Sequence, residues 1–487
     1  MKHKVLWNIF YGGFGLIFLN LFLRTLFLNY CYDYPLIPVL GCVVCLAGVL
    51  LVANFILEKF PVLLQYSNRI FFGGLAVQFM VLLWMGTHLE TVGNNDFGSV
   101  YHSAETWVLE QRFPEIGYFA IYPNNMGAFL LLKDVFQVMH WMGWRHFFLG
   151  GLALNLISIF CAITGVYFLA KKLLGDKAAL LSFVAFGSWC PLYFWVAVFY
   201  TDMLSLGYIP WVLYFCVKAL EASKKTGIFF GVGWWCAACL TAAIGSCIKS
   251  VVWIPLIAGF VWLALQLDKK QLAAMVLCAV VLCSGVNGIF QWRVNGWLPA
   301  ESREKAFPAE HWIMMGLVGD GSYNHADFLL SSSIDSPEER REVARNEIAL
   351  RFKQRSPAAF WKFLQIKQLR SFGSGNADVH HFLEAGPVHQ SIALQLGASY
   401  GEYHYIYEYL SQGWLVLMLG SLSYIAAKGM VQEKLKIPLG LCCGAILGLW
   451  MFLLIWEAGQ RYLIAGIPMM AFVMAAAFDR KAKITKK

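Results

Sequence analysis

The run IFFGGLAVQFMVLLWMGT, residues 70–87, carries no charged side chain, and soon after it comes NNDFGSVYHSAETW, residues 94–107. At ~1.5 Å of rise per residue, the first stretch as a helix crosses most of a ~30 Å hydrocarbon core. The second puts Asn94, Asn95, Asp96 and His102 where that helix reaches the surface. Two questions follow: whether the rest of the chain repeats the first pattern, and what the polar residues do at the boundary.

The first pattern dominates. Of 487 residues, 59% are hydrophobic and 14% charged, with a mean hydropathy of +0.59, which excludes a soluble globular domain and identifies an integral membrane protein. The apolar runs lack the alternation of barrel strands, and a backbone in lipid must satisfy its own hydrogen bonds, so they are helices. The reading is an all-α protein with about twelve spans: 5–29, 36–57, 70–87, 147–170, 178–198, 203–222, 226–247, 251–267, 271–290, 411–428, 437–456 and 461–478. Four parts follow: 1–69, with two helices and a loop; 70–290, the transmembrane core; 291–410, a mostly helical soluble segment; and 411–487, the last helices and a basic tail.

Charge sets the expected orientation. The net charge of +9 comes from short basic loops, such as Lys171/Lys172/Lys177 and Lys224/Lys225, and from the tail DRKAKITKK, so it marks topology and not nucleic acid. Basic loops alternate with loops poor in Lys and Arg, which places both termini in the cytoplasm of a plasma-membrane protein and turns 88–146 and 291–410 outward. The first run holds Arg24 and no small-residue cleavage site, so it reads as a retained helix. The stretch from Met126 to Gly143 carries Lys133 and Asp134 at its middle and would reverse the later loops if it crossed; it reads as an outer interfacial helix, with Trp141 and Trp144 at headgroup depth. SPEE at 336–339 and the Ser356-Pro357 pair are helix starts in the soluble segment. Most of the thirteen cysteines lie in apolar runs, and CAAC at 236–239 reads as packing. His380 and His381 have no metal-ligand spacing.

The outward polar residues come from distant places: Asp96 with Asn95; YPNN, with Tyr122, Asn124 and Asn125; Asp202 in YTDM; Lys249 in CIKS; and Glu457, Arg461 and Tyr462 in EAGQRY. Singly, each has a plain structural explanation as a cap, a turn or a snorkelling anchor. Together they put acids, cations and amides at one membrane depth, which suits a substrate with a lipid tail, a phosphate and a sugar. A sugar on a lipid phosphate already has a good leaving group, so cations that hold the departing phosphate and a carboxylate that takes the acceptor's proton suffice for displacement with inversion. This scheme requires no cofactor; it leaves room for a divalent cation without indicating one. Two other classes compete: a polytopic transporter or lipid-linked sugar flippase, which would place ionisable groups mid-membrane, and a non-catalytic scaffold subunit.

The ordered pieces resemble the GT-C superfamily of polytopic membrane glycosyltransferases, in the branch of protein O-mannosyltransferases and aminoarabinose transferases. Asp96 is followed by Tyr101 and Ala104; YPNN stands where many relatives have His-Pro-Pro-Leu. AKKLLGDKAAL resembles the family's basic inner turn, FYTDM its Thr-Asp, CIKSVVWIPL its Thr-Lys-Gly-Pro turn, RSPAAFWKFLQIKQLRSF the helix closing its outer domain, and GQRYLIAGIPMM its Arg-Tyr-Leu ending. The resemblance implies transfer of a monosaccharide from a polyprenyl-phosphate-linked donor to a hydroxyl acceptor of the cell envelope, on the extracytoplasmic side. It implies Asp96 as base, Asp202 as a supporting acid, and Lys249 and Arg461 near the donor phosphate. Asn95, Tyr101, Tyr122, Asn124, Asn125 and Tyr462 join them as substrate contacts. The chain departs from the family where Phe97 replaces the second acid of an Asp-Glu pair and where Tyr122 or Asn124 replaces a histidine.

Overall fold

A computed structural model of the chain describes residues 2–28 and 34–479; the basic tail expected at 480–487 and the end of the first expected span lie outside the described residues. The main helices are α1 (Lys2–Phe27), α2 (Leu36–Lys59), α3 (Ser67–His88), α4 (Asn95–Glu110), α5 (Met126–Trp141), α6 (Phe147–Leu174), α7 (Asp176–Gly187) and α8 (Tyr208–Lys225). They continue with α9 (Ile228–Ile248), α10 (Trp253–Ala264), α11 (Lys269–Asn295), α12 (Pro337–Lys353), α13 (Pro357–Phe372), α14 (His404–Val431), α15 (Glu433–Ile455) and α16 (Ile467–Phe478). Among the described residues there is no strand beyond one isolated bridge, Thr91 to Pro387.

Among the described residues, ten helices are long and apolar enough to cross a membrane. The other two expected spans are shorter. Residues 250–264 form one apolar helical stretch, and 178–198 is interrupted after α7. The interruption has a local cause. Pro191 lacks an amide hydrogen, so the carbonyl of Gly187 loses its helical donor, and the Tyr193 hydroxyl donates to it instead at 2.7 Å. Polar side chains of α6 mend the rest: Asn155 Nδ2 donates to the carbonyls of Trp195 (2.9 Å) and Val196 (2.8 Å), and Ser158 Oγ to that of Met203 (2.6 Å). Irregular backbone survives at membrane depth only where protein groups satisfy it, as here. The repaired segment delivers Tyr200 and Asp202 to one end of the bundle.

The bundle has two distinct ends. Segments 88–146 and 291–410 lie together at one: Val92 N donates to Gly386 O at 3.1 Å, Val388 N to Glu90 O at 2.9 Å, and Ser391 Oγ to His88 O at 2.8 Å. The basic loops gather at the other. There Lys171 pairs with Asp176 (2.8 Å), Lys172 with Glu221 (2.5 Å), and Lys177 with both Glu58 (2.9 Å) and Asp479 (2.5 Å). α5 is too short to count among the spans. Its Lys133 and Asp134 pair at 2.7 Å, and Arg293 reaches Asp134 at 2.5 Å. The two expected helix starts carry the expected caps: Ser336 accepts from Glu339 N and Ser356 from Ala359 N.

Candidate functional site

At the end opposite the basic loops, the chain assembles two carboxylate–cation pairs from four separate segments. Asp96 sits in the first turn of α4, just after Asn95, whose backbone takes a left-handed φ of 46°, a conformation that asparagine tolerates. Arg461 Nη2 donates to Asp96 Oδ2 at 3.2 Å. Lys249 ends α9 in extended backbone and donates to Asp202 Oδ1 at 2.5 Å. α5 and the end of α9 approach closely because residue 127 is glycine: a Cβ there would sit 1.8 Å from the Cys247 carbonyl oxygen. That approach brings Asn125 beside the Lys249 turn.

A chain of phenols and one amide supports the first pair. Tyr118 Oη donates to Asp96 Oδ1 at 3.0 Å, Asn125 Nδ2 to Tyr118 Oη at 2.5 Å, and Tyr200 Oη to Asn125 Oδ1 at 3.1 Å. Aromatic rings stand against both cations. Arg461 lies 5.5 Å from the ring of Tyr200, 5.9 Å from Phe382 and 5.4 Å from Tyr462, while Lys249 is 5.1 Å from Tyr462. Such contacts hold a cation without consuming its hydrogen-bond donors. Tyr462 in turn donates to Glu457 at 3.2 Å.

The two carboxylates differ in access. The Asp96 side chain is 32% exposed and that of Asp202 only 1%. Burial raises the pKa of Glu457 and, chiefly for the same reason, those of Tyr118 and Tyr122; the Asp96 charge adds to the upward shift in both tyrosines. Burial lowers the pKa of Lys249, against which Asp202 acts. A cleft of about 390 Å³ opens onto Arg461, Glu457 and Tyr462, with Tyr323, Arg370 and His381 on its walls. The 316–323 loop is tied to that rim: Ala458 N donates to Gly321 O at 2.7 Å, and Lys367 Nζ donates to Gly316 O.

The structure thus brings Asp96, Asn125, Asp202, Lys249, Arg461 and Tyr462 into one neighbourhood. The other candidates differ in placement. Tyr101 is core: it packs against Phe97, Phe136 and Phe199 and is 7% exposed. Five residues of helix turn it about 140° away from Asp96. Asn95 holds the neighbouring loop through His381 Nε2 at 2.7 Å. Tyr122 stacks near Tyr118, Phe307 and Trp312, and Asn124 donates to Asn125 Oδ1 at 3.2 Å. Tyr118, Tyr200 and Phe382 were absent from the sequence reading. Tyr200 precedes the Thr201-Asp202 pair and Tyr118 lies one helical turn before Tyr122, but in a chain with 21 tyrosines neither is conspicuous.

The description "Conserved hypothetical integral membrane protein" belongs to a family whose model matches residues 28–482. No curated protein matches the chain. Among solved structures, ArnT from Cupriavidus metallidurans bound to undecaprenyl phosphate is similar over 82% of this chain and 77% of its own, at 12% identity and a TM-score of 0.36. The apo state of the same protein is similar over 83% and 77%, at 13% identity and a TM-score of 0.38.

Proposed function

The chain belongs to that family of integral membrane proteins, and we propose that it is a glycosyltransferase moving a monosaccharide from a polyprenyl phosphate to a hydroxyl acceptor at the outer membrane surface. The observation that carries this reading is the convergence of Asp96–Arg461 and Asp202–Lys249 on the Tyr462 ring, beside a cleft that Arg461 and Tyr462 line, at the bundle end remote from the basic loops. The positive-inside rule supports reading that end as the extracytoplasmic one.

The chemistry follows from what each group has left to offer. A guanidinium has five N–H donors and Arg461 commits one to Asp96; an ammonium has three and Lys249 commits one to Asp202. The remainder are available to phosphate oxygens. In the reaction, the bond between the sugar's anomeric carbon and the phosphate oxygen breaks, and its electron pair leaves with the phosphate. Arg461 and Lys249 stabilise the charge that develops there. The acceptor oxygen bonds to the anomeric carbon from the opposite face, and its proton passes to Asp96, which inverts the anomeric centre. Asp96 is the exposed member of the two acids, so it takes the base role; buried Asp202 holds Lys249 in position. The phenol of Tyr118 donates to Asp96 and steadies its anion.

The test feeds membranes containing the chain a panel of radiolabelled polyprenyl-phosphate sugars and follows where label moves. At least one donor should be consumed. Arg461→Ala should raise the donor KM and lower kcat while leaving acceptor KM unchanged. Equal losses for donor and acceptor, or no transfer from any donor in the panel, would remove the assignment.

A further inference from the structure

A second cavity, of about 530 Å³, lies between α9 and α11, within the ~300–1,000 Å³ range of small-ligand sites. Its lining is unusual for neighbouring membrane helices. Ser284, Asn287 and Gln291 follow one another at i, i+3 and i+7, so they form one face of α11, and they meet Ser246 and Ser250 across the gap. All three lie in the half of α11 nearer the candidate site, since the helix begins at Lys269 and ends at Asn295. Among its lining residues there is no Asp, Glu, Lys or Arg.

Three properties narrow the occupant. Hydroxyls and amides at bilayer depth are costly to leave facing hydrocarbon, so they mark a path for something polar. The absence of cations rules out the phosphate, which the Arg461 and Lys249 end can bind and this groove cannot. The inner end of the groove reaches Ser250 and Asn124, the neighbours of Lys249 and Asn125, and Asn125 connects through Tyr118 to Asp96.

We propose that this groove receives the neutral, hydroxyl-rich headgroup of a lipid acceptor, entering from the membrane between α9 and α11, so that its hydroxyl reaches Asp96. The inference rests on the glycosyltransferase reading and sharpens it: the acceptor is carried by a lipid and is not a secreted protein. Asn287 and Gln291 are its specificity-determining contacts.

The groove supplies its own reporter, because Cys283 and Cys247 line it as free thiols. The full chain carrying Asp96→Asn, which removes turnover from the measurement, is placed in phosphatidylcholine nanodiscs. N-ethylmaleimide labelling of each cysteine is then timed by peptide mass mapping. Monoglucosyl diacylglycerol added to the disc should slow labelling of Cys283 at least fivefold. A long-chain polyprenyl phosphate should not, and Asn287→Leu with Gln291→Leu should abolish the protection. If that double variant does not fold, Asn287→Ser read in the same assay should show weakened protection. Protection by polyprenyl phosphate would assign the groove to the donor and overturn the proposal, as would labelling indifferent to the glycolipid. Because no sugar is transferred in this assay, a failed donor panel would sink the enzyme reading while leaving the binding result to stand or fall alone.

Discussion

The two ends of the bundle both carry charge pairs, yet they are built differently. At the basic end the pairs join loops to the helix ends beside them: Lys177 reaches Glu58 and Asp479, and Lys428 donates to the backbone carbonyls of Ala476 and Asp479, each at 3.0 Å. Those cations spend their donors on protein groups and close the bundle. At the other end, Lys249 and Arg461 keep most of their donors uncommitted and stand against the Tyr462 ring, and Arg461 lines an open cleft. Ion pairs that fasten a fold and ion pairs that await a ligand are told apart by what remains unspent.

The comparison can be broken in several ways. Lys249→Ala should lower donor kcat/KM by roughly 10²–10³-fold, the usual effect of removing one group that stabilises developing charge. Lys171→Ala, at the basic end, should leave transfer within about twofold, since exposed pairs contribute little. A similar loss for both variants would erase the distinction between the ends.

A pH series probes the segment that roofs the site. His311 is fully buried, its Nδ1 hydrogen-bonds Ser331 at 2.7 Å, and burial pushes its pKa down to about 4. A folded-state pKa below the ordinary value of 6.5 means stability that is full above 6.5 and is lost as pH falls through 4. Hydrogen exchange in residues 309–332 should therefore accelerate across that window, corresponding to on the order of 3–4 kcal/mol at roughly 1.4 kcal/mol per pH unit. His311→Asn should flatten the dependence.

Lys177→Met should lower the thermal stability of the whole bundle by about 2 kcal/mol, between the limits for exposed and buried pairs, without altering donor KM. Asp202→Asn is the subtler change at the site end. It keeps the shape and weakens the hold on Lys249, so kcat should fall about tenfold through misplacement of the cation, with a smaller change in donor KM.

Much of this was legible in the sequence because membrane helices announce themselves by length and apolarity. Loop charge and span order put Asp96, Asp202, Lys249 and Arg461 at one membrane depth; that they pair and share the Tyr462 ring is seen only in the structure. What escaped had physical reasons. The break after α7 depends on Asn155 and Ser158, which look like ordinary polar residues inside an apolar run until their partners 40 and 45 residues away are seen. Tyr200 works by a hydrogen bond to Asn125, 75 residues away, and an aromatic at a span end reads more naturally as an interfacial anchor; Tyr118 reaches back to Asp96 from a short helix in the outer segment. Tyr101 went the other way: the family resemblance put it among the substrate contacts, and helical rotation sends it into the core.

The assignment of Asp96 as base is tested by replacing one carboxylate oxygen with an amide nitrogen. Purified Asp96→Asn, reconstituted in vesicles with a consumed polyprenyl-phosphate sugar, should melt and bind donor like the wild type while its single-turnover transfer rate falls by ~10²–10⁴-fold. Transfer at an undiminished rate in that variant, with folding and donor binding equally intact, would contradict it.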